Sequence, residues 1–150
     1  MRVVIQRVCE ASVKINGQIK SSIHAGLLIL IGFVEDDTIE DAQWLCSKIA
    51  NLRIFNDQQG LMNLSSKELN APILLISQFT LYASTKKGNR PSFIKAAKPE
   101  VALPLYESFI LSLEKELNTQ VFTGVFGADM KVALINDGPV TIIIDSKNKE

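Results

Sequence analysis

The sequence predicts an α+β fold with a largely antiparallel, curved, barrel-like sheet and two main helices, and three observations lead to this prediction. Segments rich in β-branched residues recur along the chain, enough for about seven to nine strands, and several are joined by hairpin signals. Two longer segments carry apolar residues at helical spacing. No linker, low-complexity tract or internal repeat interrupts residues 1–150, so we expect a single domain.

The N-terminal third predicts three strands and a helix. The segments MRVVIQRV and ASVKI are rich in β-branched residues, and Asn16-Gly17 is a strong hairpin signal. The unbroken apolar run AGLLILIGFV favours a strand buried on both faces. The acidic stretch VEDDTIED then opens a helix that Asp36, Asp37 or Thr38 can cap. Its apolar face, on which we expect the cysteine to be buried rather than reactive, consists of Ile39, Ala42, Leu45, Cys46 and Ile49.

The rest of the chain predicts a second hairpin, further strands and a second helix. The hairpin turns around residues 57–60 in LRIFNDQQGLMNLS, and APILLISQFTLYA predicts a buried strand that becomes polar at its far end. The segment KPEVALPLYESFILSLEKELN predicts a helix with Pro99 in its first turn, and we expect Pro104 to bend or restart it. Strands in QVFTGVF, DMKVALIN and PVTIIIDS complete the fold. The apolar stripe of the second helix is Leu105, Phe109, Leu113 and Leu117.

Composition excludes several classes of protein. Sixteen basic residues balance sixteen acidic ones, so net charge does not indicate a polyanion partner. Cys9 and Cys46 are too far apart for a CxxC motif and too few for a secreted disulfide framework. The longest apolar run is far shorter than the ~20 residues of a membrane span, and the N-terminus lacks the features of a signal peptide. We therefore expect a cytoplasmic protein with no contact with the membrane.

Charge is unevenly distributed along the chain. The segment STKKGNRPSFIKAAK, residues 84–98, contains five cations and no acidic residue. Such a basic loop in a neutral protein suits limited contact with one end of a nucleic acid, or it is simply a solvated, flexible loop. The cations are Lys86, Lys87, Arg90, Lys95 and Lys98.

The chain offers little of the usual catalytic chemistry. Its one histidine, His24, is near no serine or cysteine in the sequence, and no spacing of His, Cys and carboxylates suits a metal site. No glycine-rich nucleotide-binding motif opens a helix. If the protein is an enzyme, it is expected to work without a side-chain base, a metal or another cofactor.

The polar end of LLISQFTLYA is a candidate pocket wall. In an extended strand Ser77 and Phe79 would face one way, and Gln78 and Thr80 the other. Alternatively, the strand end only satisfies its own hydrogen bonds. Thr80 is a nucleophile by residue type, but without a base its hydroxyl would react poorly. Backbone N–H groups of Phe79 and Thr80, acting as an oxyanion site, are the better candidates.

Two segments together resemble the signature motifs of a known family. SQFTL at 77–81 and NDGPVT at 136–141 resemble the paired motifs of the D-aminoacyl-tRNA deacylase, or D-tyrosyl-tRNA(Tyr) deacylase, family. The resemblance runs essentially end to end, including MRVVIQRV, KGNRPSF at 87–93 and TGVFGADM at 123–130. Without it, the Gly-Pro pair at 138–139 would be interpreted as a plain turn between two strands.

The resemblance implies roles for particular residues. The catalytic segment would be Ser77, Gln78, Phe79 and Thr80. The peptide between Gly138 and Pro139 would be cis and would enter the active site of the other subunit of a homodimer, rejecting L-amino acids. Arg7 would hold this Gly-Pro loop, with further support from Asn136, Val140 and Thr141. Phe79 and Phe126 would flank the terminal adenosine of tRNA, and Lys86, Lys87 and Arg90 would meet its phosphates.

The activity implied is hydrolysis of the ester of D-aminoacyl-tRNA, and of glycyl-tRNA mischarged on tRNA(Ala), as chiral proofreading of translation. The partners implied are the 3′ acceptor end of aminoacyl-tRNA and a second copy of the chain. Two alternatives stay open. One is a non-enzymatic nucleic-acid-binding module. The other is a related deacylase acting on a mischarged L-aminoacyl-tRNA.

Overall fold

The structure, a computed structural model, describes residues 1–149 and is organised around one long central strand. The strands are β1 (Arg2–Ile15), β2 (Gln18–Ile23), β3 (Gly26–Gly32), β4 (Phe55–Asn56), β5 (Met62–Leu64), β6 (Ile73–Ser77), β7 (Phe122–Thr123) and β8 (Lys131–Asp145). Strand β1 pairs antiparallel with β8 along one edge. Its other edge pairs antiparallel with β3 near the start and with β2 further along.

The sheet is mixed and strongly curved. Strand β6 pairs parallel with β3, and β7 pairs parallel with β6. The hydroxyl of Ser21 in β2 donates to the carbonyl of Thr123 in β7 at 2.7 Å, so the far strand curls back towards β2. The prediction of an α+β fold with a curved, largely antiparallel sheet is confirmed, with two parallel pairings added to three antiparallel ones.

The helices cover one face of this sheet. They are α1 (Ile39–Asn51), α2 (Ser66–Leu69) and α3 (Pro99–Leu117), with a short 3₁₀ helix at Phe79–Tyr82. Leu27, Ile29 and Ile31 of β3 pack under α1 and α3, whereas Leu28 faces a second apolar cluster on the concave side. Strand β3 is therefore buried on both faces, as its unbroken apolar sequence predicted.

Helix α1 begins where the acidic stretch predicted. The Thr38 hydroxyl accepts from the Asp41 N–H, and the Asp41 carboxylate accepts from the Thr38 N–H, which together form a capping box. Cys46 is fully buried, and burial raises the pKa of its thiol to about 12, so the expectation of an inert core residue is confirmed. The expectation that Ile39 belongs to the apolar face is wrong. Ile39 is 53% exposed because it is the first helical residue and projects beyond the end of the core.

Three further expectations about elements need correction. Helix α3 does not restart at Pro104 but is continuous across it, and the expectation of a bend stays a prediction. The carbonyl of Glu100, which loses its N–H partner there, belongs to an exposed residue. The short helix α2 was not predicted, although its capping box between Ser65 and Glu68 is visible as an S-x-x-E pattern. The segments DMKVALIN and PVTIIIDS belong to one strand, β8, rather than two. Among residues 1–149, no helix is long and apolar enough to cross a membrane.

Candidate active site

The predicted catalytic segment lies where β6 stops and the chain turns into the 3₁₀ helix. Ser77, the last residue of β6, pairs with Ile31, and the Gln78 N–H donates to the Ile31 carbonyl at 2.7 Å. The helix then packs tightly on the end of β3 at Gly32. A Cβ on Gly32 would lie 2.9 Å from the Gln78 carbonyl oxygen, so only glycine allows this approach.

This turn corrects the expected alternation of side chains. Phe79 and Thr80 do not continue the strand but form the start of the 3₁₀ helix, and both are exposed. Their N–H groups belong to the first turn, where a helix offers no acceptor of its own. The internal bonding of the segment starts with the Leu81 N–H, which donates to the Gln78 carbonyl at 3.3 Å. Two neighbouring N–H groups are thus available at an exposed helix start.

The side chains of the segment do not assemble a nucleophile and base. The Gln78 side-chain amide donates to the Thr80 hydroxyl. An amide cannot remove a proton from that hydroxyl, so the geometry gives Thr80 no activating partner. His24, the one histidine, is exposed in the bend between β2 and β3 and does not line this site.

A cavity of about 440 Å³ opens beside the 3₁₀ helix. This volume lies in the range of roughly 300–1,000 Å³ that is usual for small-molecule sites. The cavity brings together four of the predicted site residues, and no described residue that lines it has a titratable side chain. The lining residues that the site uses are Ser77, Gln78, Phe79, Phe93, Ala96 and Phe126.

Aromatic rings surround the mouth of this cavity. Phe79, 57% exposed, meets Phe93 edge to face with ring centroids 5.0 Å apart. Phe126 is held from behind by the ring of Tyr106, 5.8 Å away. Exposed aromatic side chains at a cavity are suited to stacking on a nucleobase. Phe93 was missed as a site residue, although it ends the KGNRPSF segment on which the family resemblance depends.

The basic loop begins beside the cavity mouth. Ser84 and Ser92 exchange backbone hydrogen bonds of 2.8 and 2.9 Å, which close the base of the loop. Lys86, Lys87 and Arg90 project from it and are exposed, and none of them lines the cavity. Phe93, which follows the base of the loop directly, contacts Phe79, so the loop starts from the side of the cavity.

The Gly-Pro pair lies on an excursion of β8 rather than in a turn between two strands. Gln6 of β1 pairs with Thr141 and Val8 pairs with Asn136, so β8 carries three more residues than β1 over this stretch. The alternative of a plain turn between two strands is therefore excluded. The Gly138–Pro139 peptide is cis, and both residues are exposed at the crest of this loop, residues 137–140.

Asn136 closes the loop at its base. Its side-chain oxygen accepts from the Val140 N–H at 2.9 Å, and its amide donates to the Val140 carbonyl at 3.1 Å. The same amide donates to the Thr141 hydroxyl at 3.3 Å, which also accepts from Gln6 at 3.2 Å. The side chain of Asn136 therefore replaces the missing strand partner.

Arg7 holds the loop from beneath. Its side chain is buried, and its Nε lies 3.0 Å from the Asp137 carboxylate and 3.3 Å from the Asp137 carbonyl oxygen. On its other side Nη1 donates to the Ile54 carbonyl at 2.6 Å and to the Asn56 side-chain oxygen at 3.2 Å. The guanidinium is thus satisfied by carbonyl, amide and carboxylate oxygens together. Asp137 and Asn56 were not singled out from sequence, because their role depends on contacts with Arg7 across the fold.

Within one chain the loop and the cavity are far apart. The loop lies opposite Arg7 of β1. Ser77 of β6, at the cavity, pairs with Ile31 of β3, and Ile31 pairs in turn with Val3 of β1. Val3 and Arg7 are separated by roughly 13 Å along the strand, at about 3.3 Å per residue. The loop is also on the β8 side of β1 and the cavity on the β3–β6 side. Neither Gly138 nor Pro139 lines the cavity.

The curved α+β fold, with a cavity beside a strand end whose described lining has no titratable side chain, can be compared with known proteins. The family model described as D-Tyr-tRNA(Tyr) deacylase matches residues 4–145. The chain therefore belongs to the D-Tyr-tRNA(Tyr) deacylase family. This confirms the resemblance and the expectation of a hydrolase.

Curated relatives agree with this assignment. The chain is 65% identical to a D-aminoacyl-tRNA deacylase of Flavobacterium psychrophilum and 63% identical to one of Bacteroides thetaiotaomicron, in each case over 100% of both chains. Among solved structures it is similar to a c-Myc DNA unwinding element binding protein, with a TM-score of 0.91, 39% identity and coverage of 97% of this chain and 98% of the other. A "probable eukaryotic D-amino acid tRNA deacylase" shares the fold at a TM-score of 0.82 and 18% identity, over 95% and 97% of the two chains.

Proposed function

We propose that this protein hydrolyses the ester between a D-amino acid and the terminal ribose of tRNA, and that it leaves L-aminoacyl-tRNA intact. Family membership supports the reaction. The observation that carries the mechanism is the pair of N–H groups of Phe79 and Thr80 in the first turn of an exposed helix start, beside a cavity whose described lining has no titratable side chain. This is chiral proofreading of translation, carried out in the cytoplasm, where tRNA is charged.

The terminal adenosine enters the aromatic cavity between Phe79 and Phe126. This places the ester next to the start of the 3₁₀ helix. Water attacks the carbonyl carbon, and the N–H groups of Phe79 and Thr80 stabilise the oxyanion. The neighbouring 2′-hydroxyl of the ribose assists, because the protein supplies no base and an adjacent substrate group acts at high effective concentration.

Chirality is determined by the loop that carries Gly138 and Pro139. Its carbonyl oxygens accept from the ammonium group of the substrate, so the ammonium and the ester carbonyl are both fixed. A D side chain then points to solvent, whereas an L side chain strikes the Gly-Pro wall. Many D-amino acids are accepted, because the side chain itself is not inspected.

Glycine has no Cβ to strike the wall, so glycyl-tRNA is expected to be hydrolysed as well, including glycine mischarged on tRNA(Ala). Incubating glycyl-tRNA with the protein and following loss of the ester measures this. Complete resistance at high enzyme concentration would contradict the rejection geometry.

The protein acts as a homodimer in this proposal, with the loop of one subunit completing the cavity of the other. The distance between loop and cavity within one chain supports an arrangement in trans, as does the exposure of the loop crest. Strand β8 also supports it. It is a 15-residue strand paired on one edge, with Ile135 and Ile143 more than half exposed. Such an edge is a ready surface for a second chain.

The basic loop meets the acceptor end of tRNA. Lys86, Lys87 and Arg90 are exposed on a loop whose base adjoins the cavity, which supports contact with the phosphates next to a bound terminal adenosine. The sequence-independent nature of phosphate contacts suits an enzyme that must accept many tRNAs.

A second candidate function is a nucleic-acid-binding module without catalysis. The 39% identity to a protein named for binding a DNA unwinding element favours it, together with the exposed basic loop. A binding module without catalysis would not require the cavity beside the 3₁₀ helix.

Hydrolysis of D-tyrosyl-tRNA, compared with L-tyrosyl-tRNA, tests the proposal. We expect rapid loss of the D ester alone. Binding of tRNA with neither ester cleaved would instead establish the binding module. Cleavage of both esters would refute the role of the Gly-Pro wall, and cleavage of the L ester alone would favour a deacylase of mischarged L-aminoacyl-tRNA.

A further inference from the structure

We propose that Arg2 and Asp145 form a positioning pair that sets the place of the catalytic 3₁₀ helix, and with it the N–H groups of Phe79 and Thr80. The inference rests on the proposed function, because it concerns the donors that stabilise the oxyanion. Neither residue lines the aromatic cavity, so the pair acts through the helix and not on the substrate.

Arg2 contacts the second half of the helix in two ways. Its Nη1 donates to the Leu81 carbonyl at 3.0 Å. Its guanidinium carbon lies 4.8 Å from the centre of the Tyr82 ring, a distance at which a cation is attracted to the aromatic face. One side chain thus contacts both residues that follow Thr80.

Asp145 fixes the orientation of this guanidinium. Arg2 Nε and Nη2 both lie 2.9 Å from the same carboxylate oxygen. Arg2 and Asp145 are partners in the pairing of β1 with β8, so both come from the regular part of the sheet. The other oxygen of Asp145 accepts from the Lys147 N–H at 2.9 Å, which orients the carboxylate. Asp145 is only 14% exposed, so the pair is partly shielded from water.

The helix also packs on Gly32, which is the pairing partner of Arg2 on the neighbouring strand β3. A Cβ there would lie 3.3 Å from the Leu81 Cβ and 3.3 Å from the Tyr82 Cδ2. Residues Leu81 and Tyr82 are therefore held by close packing on Gly32 and by the Arg2 guanidinium. A 3₁₀ helix of four residues has too few internal hydrogen bonds to determine its own position, so these outside contacts decide it.

Position matters here because oxyanion donors stabilise the transition state only at about 2.7–3.1 Å from the developing charge. Loss of the pair lets the helix shift, while the cavity still binds the terminal adenosine of the substrate. The expected signature is a fall in kcat with little change in KM. A pair that merely stabilised the fold would change neither constant per folded molecule.

The test compares Arg2→Met, Arg2→Lys and Asp145→Asn with the wild-type protein in hydrolysis of D-tyrosyl-tRNA. Arg2→Met and Asp145→Asn are expected to lower kcat roughly tenfold, with KM within twofold of wild type. Arg2→Lys, which keeps the charge but cannot reach the carboxylate and the carbonyl together, is expected to lie in between. The double variant should be no worse than Arg2→Met alone, because both changes break one unit.

Arg53→Met is the matched control. Arg53 also donates from Nε to a backbone carbonyl, that of Asn63 at 2.8 Å, but it lies between α1 and β4 and has no contact with the 3₁₀ helix. The kcat of Arg53→Met should equal that of the wild-type protein. Circular dichroism of every variant gives the folded fraction, by which kcat is corrected. If Arg2→Met does not fold, Arg2→Lys and Asp145→Asn decide the matter.

The proposal is overturned by a corrected kcat within twofold of wild type in Asp145→Asn and in the folded Arg2 variants, or by a loss confined to KM. In those cases an active wild-type protein leaves the proposed function intact. A wild-type protein that cleaves no aminoacyl ester refutes the proposed function itself, and the role of the pair with it.

Discussion

At the scale of single residues, buried polar side chains shape the candidate site. Arg7 is almost fully buried and ties the Gly-Pro loop to the β4–β5 hairpin through oxygens of Asp137, Ile54 and Asn56. A buried arginine is tolerated only when its donors are satisfied. Removal of any of its partners would therefore disturb the loop rather than the core.

Thr80→Ala is expected to retain much of the activity, within about tenfold of wild type. The backbone N–H that stabilises the oxyanion is unchanged, and the lost hydroxyl is bonded only to the Gln78 amide and not to a base. Steady-state hydrolysis of D-tyrosyl-tRNA measures this. A loss of ~10⁴-fold or more at unchanged thermal stability, comparable to removal of a true nucleophile, would overturn the mechanism.

Gly138→Ala is expected to reduce hydrolysis of the D ester and its preference over the L ester. The backbone at Gly138 has φ +128°, and a Cβ would lie 2.8 Å from the Val140 side chain and 3.2 Å from Arg7 Nη2. The loop must shift to relieve these contacts. The measurement is the ratio of kcat/KM for the D- and L-tyrosyl esters.

Gly60→Ala is the control for this substitution. Gly60 also has a positive φ, +80°, but a Cβ there would meet no atom within 4 Å. The control should lose about 1 kcal/mol of stability and no chiral preference. If both variants keep the wild-type D-to-L ratio, the Gly-Pro loop does not select chirality.

At the scale of elements, the 3₁₀ helix and the excursion of β8 are both interruptions of regular strands. Each occurs where a strand stops pairing, at Ser77 in β6 and at Asn136 in β8. Backbone N–H and C=O groups that no longer pair with a neighbouring strand can form hydrogen bonds with a substrate. This explains why the candidate catalytic groups are main-chain atoms.

The basic loop is an element with a separable role. Replacing Lys86, Lys87 and Arg90 with glutamine is expected to raise KM for aminoacyl-tRNA and to flatten its dependence on salt, while kcat changes little. Each lost phosphate contact on a single strand reduces the slope of log K against log salt by about 0.7. Steady-state kinetics at several salt concentrations measures the slope.

The matched control replaces Lys14, Lys20 and Lys115, three exposed lysines outside the loop. The same loss of positive charge there should leave the slope unchanged. Equal slopes in the loop variant and the wild-type protein would mean that the loop is only solvated.

At the scale of the whole molecule, the proposed site needs two chains. A mixture of two impaired variants tests this. Gly138→Ala impairs the loop, and Ala96→Trp fills the cavity. If the loop acts in trans, a heterodimer combines the intact cavity of one variant with the intact loop of the other, so mixing should restore D-tyrosyl-tRNA hydrolysis.

The ratio of the two variants provides the control for that experiment. Restored activity should follow the fraction of heterodimer and peak at equal amounts. Activity that never exceeds the sum of the two variants after subunit exchange, or activity that persists in isolated monomers, would refute the dimeric site.

Much of the fold could be predicted because its signals are local. The apolar run of β3, the Thr38 cap of α1 and the Asn16-Gly17 turn each depend on residues close together in the sequence. The turn of the chain after Ser77 could not be predicted in this way. It depends on the missing side chain of Gly32 and on Arg2, far away in sequence.

The sequence by itself determined the α+β class, the helix starts, the burial of Cys46 and the family, because periodicity, capping and ordered motifs are written in neighbouring residues. Only the tertiary structure decided that Phe79 and Thr80 leave the strand and that Gly138 and Pro139 crest an excursion of β8. It alone also supplied the partners of Arg7, which are Asp137, Ile54 and Asn56. These outcomes result from contacts between residues that are distant in the chain. Local sequence preferences do not predict these outcomes, because each one depends on the positions of atoms in neighbouring strands.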